Sequence, residues 1–210
     1  MKEVGHDVWI LESTRGSYAY WMASADGNIL IDTSLPGRAS AIQRELETHQ
    51  ATVAHILITH YDVDHIGNLA ALAQWSQAQV WLPAGDVPYI VGERPRPGVK
   101  RYIARVMKAE VPRSYAMLHA GDAVGPLTAI ASPGHTPGHL AFRGPGMLFV
   151  GDALAVRRGR PLPPARWLNW RHGLARQSAD ALLSGFVEGW LLPAHGEPLY
   201  WQRKGGQGDD

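Results

Sequence analysis

Apolar and polar positions alternate along the chain in a way that separates short β-like runs from amphipathic helices. VWILES and SYAYWMAS near the start read as strands, and ADGN before ILIDTS is a hairpin-turn sequence, so the chain opens as an antiparallel sheet. LPGRASAIQRELETHQ places Ala39, Ile42 and Leu46 at helical spacing and predicts an amphipathic helix, after which ATVAHILIT returns to a strand. A second helix is predicted over residues 67 to 79, followed by the strand AQVWLP. Residues 86 to 115 are rich in Pro, Gly and Arg around a predicted helix at 99 to 110, the pattern of a lid-like insertion. The runs LTAIASPG, HLAFRG and MLFVGDA make a second group of strands, followed by a predicted helix at 176 to 186, the strand GWLLPAH and a polar tail at about 204 to 210 that is expected to be flexible. No internal repeat of fixed period and no linker is visible, so one domain is expected over residues 1 to 210. Two β-rich halves, each followed by helices, predict two similar layers packed face to face.

Composition narrows the function classes. The chain has 210 residues, 45% hydrophobic and 19% charged, which suits one domain with a substantial core. The formal net charge of +1 gives no global reason to expect nucleic acid or an anionic membrane as partner. No stretch approaches the roughly 20 apolar residues of a membrane span, and MKEVGHDVWILES lacks a signal-peptide cleavage site, so a cytoplasmic location is expected. Eight tryptophans would allow an exposed aromatic interface and a homodimer. With no cysteine, any transition metal has to be held by the ten histidines and nineteen acids alone.

Those residues are concentrated. LITHYDVDHIGN ends an apolar run with four potential ligands in six positions, His60, Asp62, Asp64 and His65. His135 in AIASPGHTPGH, Asp152 in MLFVGDA and His195 in WLLPAHGEP likewise follow apolar runs. All lie at predicted C-terminal strand ends, where a strand fixes the backbone and the next loop presents the side chain. In an extended segment residues 60, 62 and 64 face one way, so His60 and Asp62 can grip one metal while Asp64, with His65 after the chain turns, reaches a second. Asp152 can bridge the two. Singly, each motif has a plainer reading: Asp62 and Asp64 as helix caps, Gly151-Asp152 as a turn, His195 as a packed strand end. Jointly those readings do not explain four sites built from metal-compatible residues. His6, His49, His55, His119 and His172 fall at no motif position and are expected to be surface or core residues.

The constellation resembles the metallo-β-lactamase superfamily. The family signature, His-x-His-x-Asp-His, then a distant His, an Asp and a His, is matched by His60, Asp62, Asp64, His65, His135, Asp152 and His195, with Asp62 in place of the second histidine. ILIDTSLPG, LITHYDVDHIGN, SPGHTPGH, LFVGDAL and LLPAHGEP follow in family order over nearly the whole chain. The resemblance implies an α/β fold, a four-layered αββα sandwich with a dinuclear metal site at one edge of its two sheets. It implies two divalent transition-metal ions and hydrolysis by a metal-bridging hydroxide, with Asp64 both ligand and proton carrier. Zinc is the first expectation, and the hard carboxylate of Asp62 favours iron or manganese beside it. Asp32 (alternatively a structural turn acid), Thr59 and His139 are candidates to stand behind the ligands and orient them. Tyr61, Tyr89, Tyr102 and Tyr115 are unranked candidates to assist.

The substrate is read from departures. Asp152 occupies a bridging position that β-lactamases of the superfamily generally fill otherwise, which points toward hydroxyacylglutathione hydrolases, lactonases and phosphodiesterases. Only fifteen residues follow His195, leaving no room for a helical glutathione-binding domain, so a glutathione thioester is disfavoured. The basic stretch GERPRPGVKRYIAR at 92 to 105 is expected to be a solvated lid rather than an RNA-binding arm. With Asp62 the dinuclear site sums to zero charge instead of +1, which tilts the expectation toward a neutral ester or lactone as the small-molecule substrate. The alternatives are a phosphodiesterase, a di-iron protein reducing oxygen or nitric oxide with a separate electron donor, and a non-catalytic metal-binding module.

Overall fold

The computed structural model describes residues 1–5 and 7–203; His6 and the tail at 204–210 lie outside the described residues. The first half runs β1 (Lys2–Gly5), β2 (Val8–Ile10), β3 (Tyr20–Met22), β4 (Ile29–Ile31), α1 (Ala39–Thr48), β5 (His55–Leu57), α2 (Val63–Ile66), α3 (Leu69–Ser76), β6 (Gln79–Pro83), α4 (Val87–Ile90), α5 (Lys100–Val106) and β7 (Ala116–Leu118). The second runs β8 (Ala123–Val124), β9 (Leu127–Ala131), β10 (Leu140–Gly144), β11 (Met147–Gly151), β12 (Ala155–Arg157), β13 (Arg160–Leu162), α6 (His172–Gly185), β14 (Glu188–Pro193) and β15 (Leu199–Gln202). β1 to β7 form one sheet in sequential order, and β15-β14-β11-β10-β9-β8 form the other. β1 to β4 are antiparallel neighbours, whereas β4 to β7 are parallel, and β11 and β14 are parallel in the second sheet.

Strand alternation sorts the apolar residues into three slabs, which is the physical content of the αββα layering. Ile29, Ile31 and Leu57 face Phe142, Phe149 and Leu192 between the sheets. Leu30 and Ile56, one residue out of phase, point the other way and are covered by Ile42 and Leu46 of α1 and by Leu69 and Leu72 of α3. In the second sheet Ala141, Leu148 and Leu191 are covered by Ala179 and Leu182 of α6. Strands buried on both faces read as continuous apolar runs, as ILI and MLFV do.

The parallel strands fix where the chemistry sits. The C-terminal ends of β4, β5 and β6 in one sheet and of β11 and β14 in the other come out at one edge of the sandwich. Direct bonds join the sheets there: the Tyr20 hydroxyl donates to the Pro193 carbonyl at 2.6 Å, Tyr18 N–H to the Ala194 carbonyl at 2.9 Å, and Leu140 N–H to the Thr59 carbonyl at 2.9 Å.

Six short strands, β1, β7, β8, β12, β13 and β15, were not expected from the pattern. They have two to four residues and mostly exposed or half-buried faces, so their apolar runs, such as AML in β7, are too short to mark a strand. α6 begins at His172 rather than 176, and α5 is shorter than the predicted 99 to 110. Within 86–115, α4 buries Ile90, while α5 exposes Tyr102 and Val106. Of the eight tryptophans, only Trp167 is exposed, the rest being taken up wholly or partly in packing.

Phe142 is fully buried in the slab between the sheets. Phe142→Ala is expected to lower unfolding free energy by about 3–5 kcal/mol in a urea titration, the cost of a lost aromatic plus its cavity.

Candidate metal centre

Seven of the residues singled out above meet at this edge as two groups. His60, Asp62, His135 and Asp152 offer donor atoms that all lie within 4.8 Å of one another, and Asp64, His65 and His195 do the same. In the first group His60 Nε2 is 3.4 Å from Asp62 Oδ2, and His135 Nε2 is 3.0 Å from Asp62 Oδ2 and 3.2 Å from Asp152 Oδ2. In the second, His195 Nε2 is 3.4 Å from Asp64 Oδ2, and Asp152 Oδ1 is 3.3 Å from His195 Nε2 and 3.4 Å from His65 Nε2. Asp152 thus turns one oxygen to each group. A tetrahedron with metal–ligand bonds of roughly 2.1 Å has edges of about 3.4 Å, which these separations match.

The local backbone differs from the extended segment expected for 60 to 64. Asp62 is the last extended residue (φ −67°, ψ 146°), and Val63–Ile66 is a helical turn. The turn rather than strand alternation separates the pairs: His60 and Asp62 precede it, Asp64 and His65 ride on it. Asp62 sits at the helix N-cap position but makes no side-chain cap bond, so its carboxylate is directed into the centre.

Groups behind the ligands fix which ring nitrogen faces the centre. His65 Nδ1–H donates to Asp32 Oδ2 at 2.8 Å, and Asp32 is itself held by Thr59 N–H at 2.9 Å and the Thr59 hydroxyl at 2.8 Å. That hydroxyl lies 3.0 Å from His60 Nδ1 and can accept from it. His135 Nδ1 faces Asn169 Oδ1 at 3.1 Å. Each ring therefore keeps an Nε2 lone pair for the centre. His139 differs: Asp152 N–H donates to its Nε2 at 3.1 Å and its Nδ1 meets the Ser132 hydroxyl at 2.8 Å, so both nitrogens are used and His139 anchors the Asp152 backbone. Gly151 precedes Asp152 with φ +48°, and a Cβ there would come within 2.9 Å of both His139 Nε2 and Thr59 Cβ, so glycine is required.

Three buried donor atoms of the centre fit a cation rather than a protein partner. His60 Nε2, His65 Nε2 and Asp152 Oδ1 make no hydrogen bond among the described residues although all are buried. Such atoms are costly unless a bound group satisfies them, and imidazole and carboxylate donors suit a divalent ion. Burial presses His60 well below the ordinary imidazole range, and the neighbouring His65 adds to this. At His65 burial works in the same direction but is outweighed by Asp32, Asp152 and Asp64, which hold it well above that range. His195, burial opposing, is carried up to about 10 by Asp152 and Asp64. Burial would raise Asp152, yet His65, His195 and His135 hold it well below the carboxylate range. The centre favours positive charge, which suits a metal ion.

The sequence reading missed three supporting residues and one more group of consequence. Asp86, just past β6, is fully buried; it accepts from the Thr136 hydroxyl at 2.6 Å, Gly138 N–H at 2.6 Å and Tyr61 N–H at 3.1 Å, tying the His60 and His135 loops together. Gly138 permits this: a Cβ there would lie 2.3 Å from the Asp86 nitrogen. Asn68 donates to the Thr33 and Leu35 carbonyls at 2.6 and 2.7 Å and accepts from Arg38 N–H at 2.8 Å, pinning the end of the ligand motif. Asn169 orients His135 and donates to His172 Nδ1 at 3.0 Å. The fourth is Lys100, at the start of α5. Its Nζ lies 2.6 Å from Asp62 Oδ2 and 2.8 Å from His135 Nε2. A strand-end rule would have found Asp86; nothing in VGERPRPGVK marks Lys100.

Lys100 also corrects the charge argument made from Asp62 alone, because its ammonium returns the positive unit that Asp62 removes. Of the tyrosines, Tyr61 is fully buried with Lys100 Nζ and the Arg96 guanidinium each 5.3 Å from its ring centre, Tyr89 packs on it at 5.3 Å, half-buried Tyr115 packs against the same core cluster, and Tyr102 is exposed. His49 and His119 are exposed, and half-buried His55 accepts from Trp81 Nε1 at 3.3 Å; none of these joins the centre. No described helix is long and apolar enough to cross a membrane.

A family model described as the metallo-beta-lactamase superfamily matches residues 13–195. The protein YobT of Bacillus subtilis is 33% identical over 187 residues, covering 81% of this chain and 78% of that protein. The hydroxyacylglutathione hydrolase of Shewanella oneidensis is 31% identical over 147 residues, covering 70% of this chain but 47% of the enzyme, so the chain spans about half the length of that relative. Among solved structures, that of TTHA1623 in a di-iron-bound form superposes with a TM-score of 0.75 at 25% identity, covering 91% of this chain and 94% of that one. The B3 metallo-beta-lactamase BLEG-1 shares the fold with a TM-score of 0.69 at 19% identity, covering 92% and 93%.

Burial, against its hydrogen bonds, raises Asp86 to about 6. A carboxyl whose folded pKa exceeds its unfolded value holds its proton better when folded, so its contribution to stability falls as pH rises from about 4 to 6. Measured as urea unfolding free energies, wild type is therefore expected to gain about 2–3 kcal/mol relative to Asp86→Asn between pH 7 and pH 4. A pH-independent difference would contradict this.

Proposed function

The chain belongs to the metallo-β-lactamase superfamily, and from that premise we propose that it is a metal-dependent hydrolase acting on an ester or lactone of a small molecule. One observation carries the reading: two groups of His and Asp donors share Asp152 and leave His60 Nε2, His65 Nε2 and Asp152 Oδ1 buried and unpartnered. His60, Asp62, His135 and Asp152 would hold one divalent ion, and Asp64, His65, His195 and Asp152 the other. Such ions, when bound, supply an acidified water and polarise the scissile carbonyl. Zinc suits the imidazoles, and the three carboxylates together with the di-iron-bound neighbour keep iron beside it, with manganese third.

The residues divide the work by position. His60, His65 and His135 are buried, and Asp152 nearly so, which keeps the electrostatics of the floor strong. His195 and Asp64 are 39% and 24% exposed and form the rim that a substrate meets first. In this reading Asp64 would orient the attacking water, take its proton and return it to the leaving oxygen, a role that its position on the rim beside His195 supports. Ester and lactone hydrolysis require the same attack at an acyl carbon that the name hydroxyacylglutathione hydrolase implies for the relatives. A phosphodiester is the second reading, favoured by the ammonium of Lys100 and the guanidinium of Arg96 beside Asp62 and Tyr61.

The purified protein is expected to bind about two transition-metal ions per chain by elemental analysis, and chelation should abolish turnover while leaving circular dichroism largely intact. Asp64→Asn should lower hydrolysis of the best ester or lactone in a panel by at least about a hundredfold, the scale of a lost acid–base group. Wild-type turnover in that variant would remove Asp64 from the mechanism, and phosphodiesters outrunning every acyl substrate would select the second reading.

A further inference from the structure

Lys100 is the one buried residue of α5 among the described side chains; Arg101, Tyr102, Ile103, Arg105 and Val106 of the same helix are exposed. Apolar packing therefore does not bring it inside. What holds it are Asp62 Oδ2 at 2.6 Å, His135 Nε2 at 2.8 Å and the His135 carbonyl at 3.3 Å. An amine buried to 5% exposure and bound to two donors of one metal position occupies the bonding capacity an ion would need. The conflict is sharpest at His135. With Nδ1–H engaged by Asn169, its Nε2 has a single lone pair, which cannot both accept from an ammonium and ligate a metal.

We propose that Lys100 is a built-in cation that keeps the place of the first metal, so that the two positions fill in a fixed order: the Asp64–His65–His195 position first, and the Asp62–His135 position only when Lys100 withdraws. This rests on the reading of the centre as dinuclear. The second position carries no such plug: His65 Nε2 and Asp152 Oδ1 have no hydrogen-bond partner, and His195 opens to solvent. A withdrawn Lys100 has somewhere to go, since its described neighbours on α5 are exposed and solvent lies beside it. The pairing also accounts for an aspartate at position 62, because a histidine there could not balance the buried ammonium. Displacing a charge-assisted pair should weaken the first position roughly 10- to 100-fold relative to a chain without the lysine.

The test is chelator-competition titration of metal-free wild type and Lys100→Met with zinc, counting bound ions. Wild type should show two well-separated dissociation constants, and Lys100→Met should tighten the weaker by about tenfold or more while leaving the tighter unchanged. In wild type alone, amine acylation read by mass spectrometry should find Lys100 protected with no zinc and with one equivalent, and reactive with two, while Lys2 and Lys108 stay constant. Unchanged constants in Lys100→Met, a weakened second ion, or protection of Lys100 that survives two bound ions would each overturn the proposal. No zinc in either protein would overturn the dinuclear reading itself, an outcome distinct from two ions bound with indifference to residue 100.

Discussion

A single buried carboxylate organises this protein. Asp152 sits between His135 on one side and His65 and His195 on the other, one oxygen to each. Burying that charge is tolerable only because positive or hydrogen-bonding groups converge on it from separate parts of the chain. The sandwich exists in a form that lets them converge: parallel strands in both sheets end at the same edge, and bonds such as Tyr20 to Pro193 lock the sheets in register there. His139 and Gly151 serve the same end by fixing the backbone from which Asp152 projects.

The electrostatics of the centre are layered. Asp32 and Thr59 determine which nitrogen of His65 faces inward, and those rings determine the charge Asp152 can sustain. Asp62 belongs to a different balance. Lys100 and hydrogen bonds from His135 and His60 hold it well below the carboxylate range against its burial, so its partner is as much the segment over the centre as the centre itself. The floor is consequently held by contacts among strand ends and the groups behind them, whereas Lys100 reaches it from the segment between α4 and β7.

Much of this was legible in the sequence, for physical reasons that also explain what was not. The candidate ligands could be singled out because metal chemistry admits few residue types, and because each group of them follows an apolar strand run. The layers could be read because β4, β10 and β11 are buried on both faces and become apolar runs. The edge strands β7 and β15 carry no such mark, being half exposed. The helical turn at Val63–Ile66 was hidden because four residues hold too little periodicity to separate it from an extended loop. Lys100 was invisible for a deeper reason. A lysine among arginines in a Pro/Gly-rich segment has the composition of a solvated surface, and only tertiary structure shows one of those cations turned inward.

The centre draws its atoms from strand ends scattered across the whole chain, with Asp64 in the first half facing His195 near its end at 3.4 Å. Such contacts can close only after both sheets have formed and docked, so the site is among the last features to be completed as the chain folds. A cation cannot act as the nucleus around which this protein folds, as it does in small zinc modules. Both sheets have to form and dock first, so any ion the centre takes up arrives at a chain that is already folded.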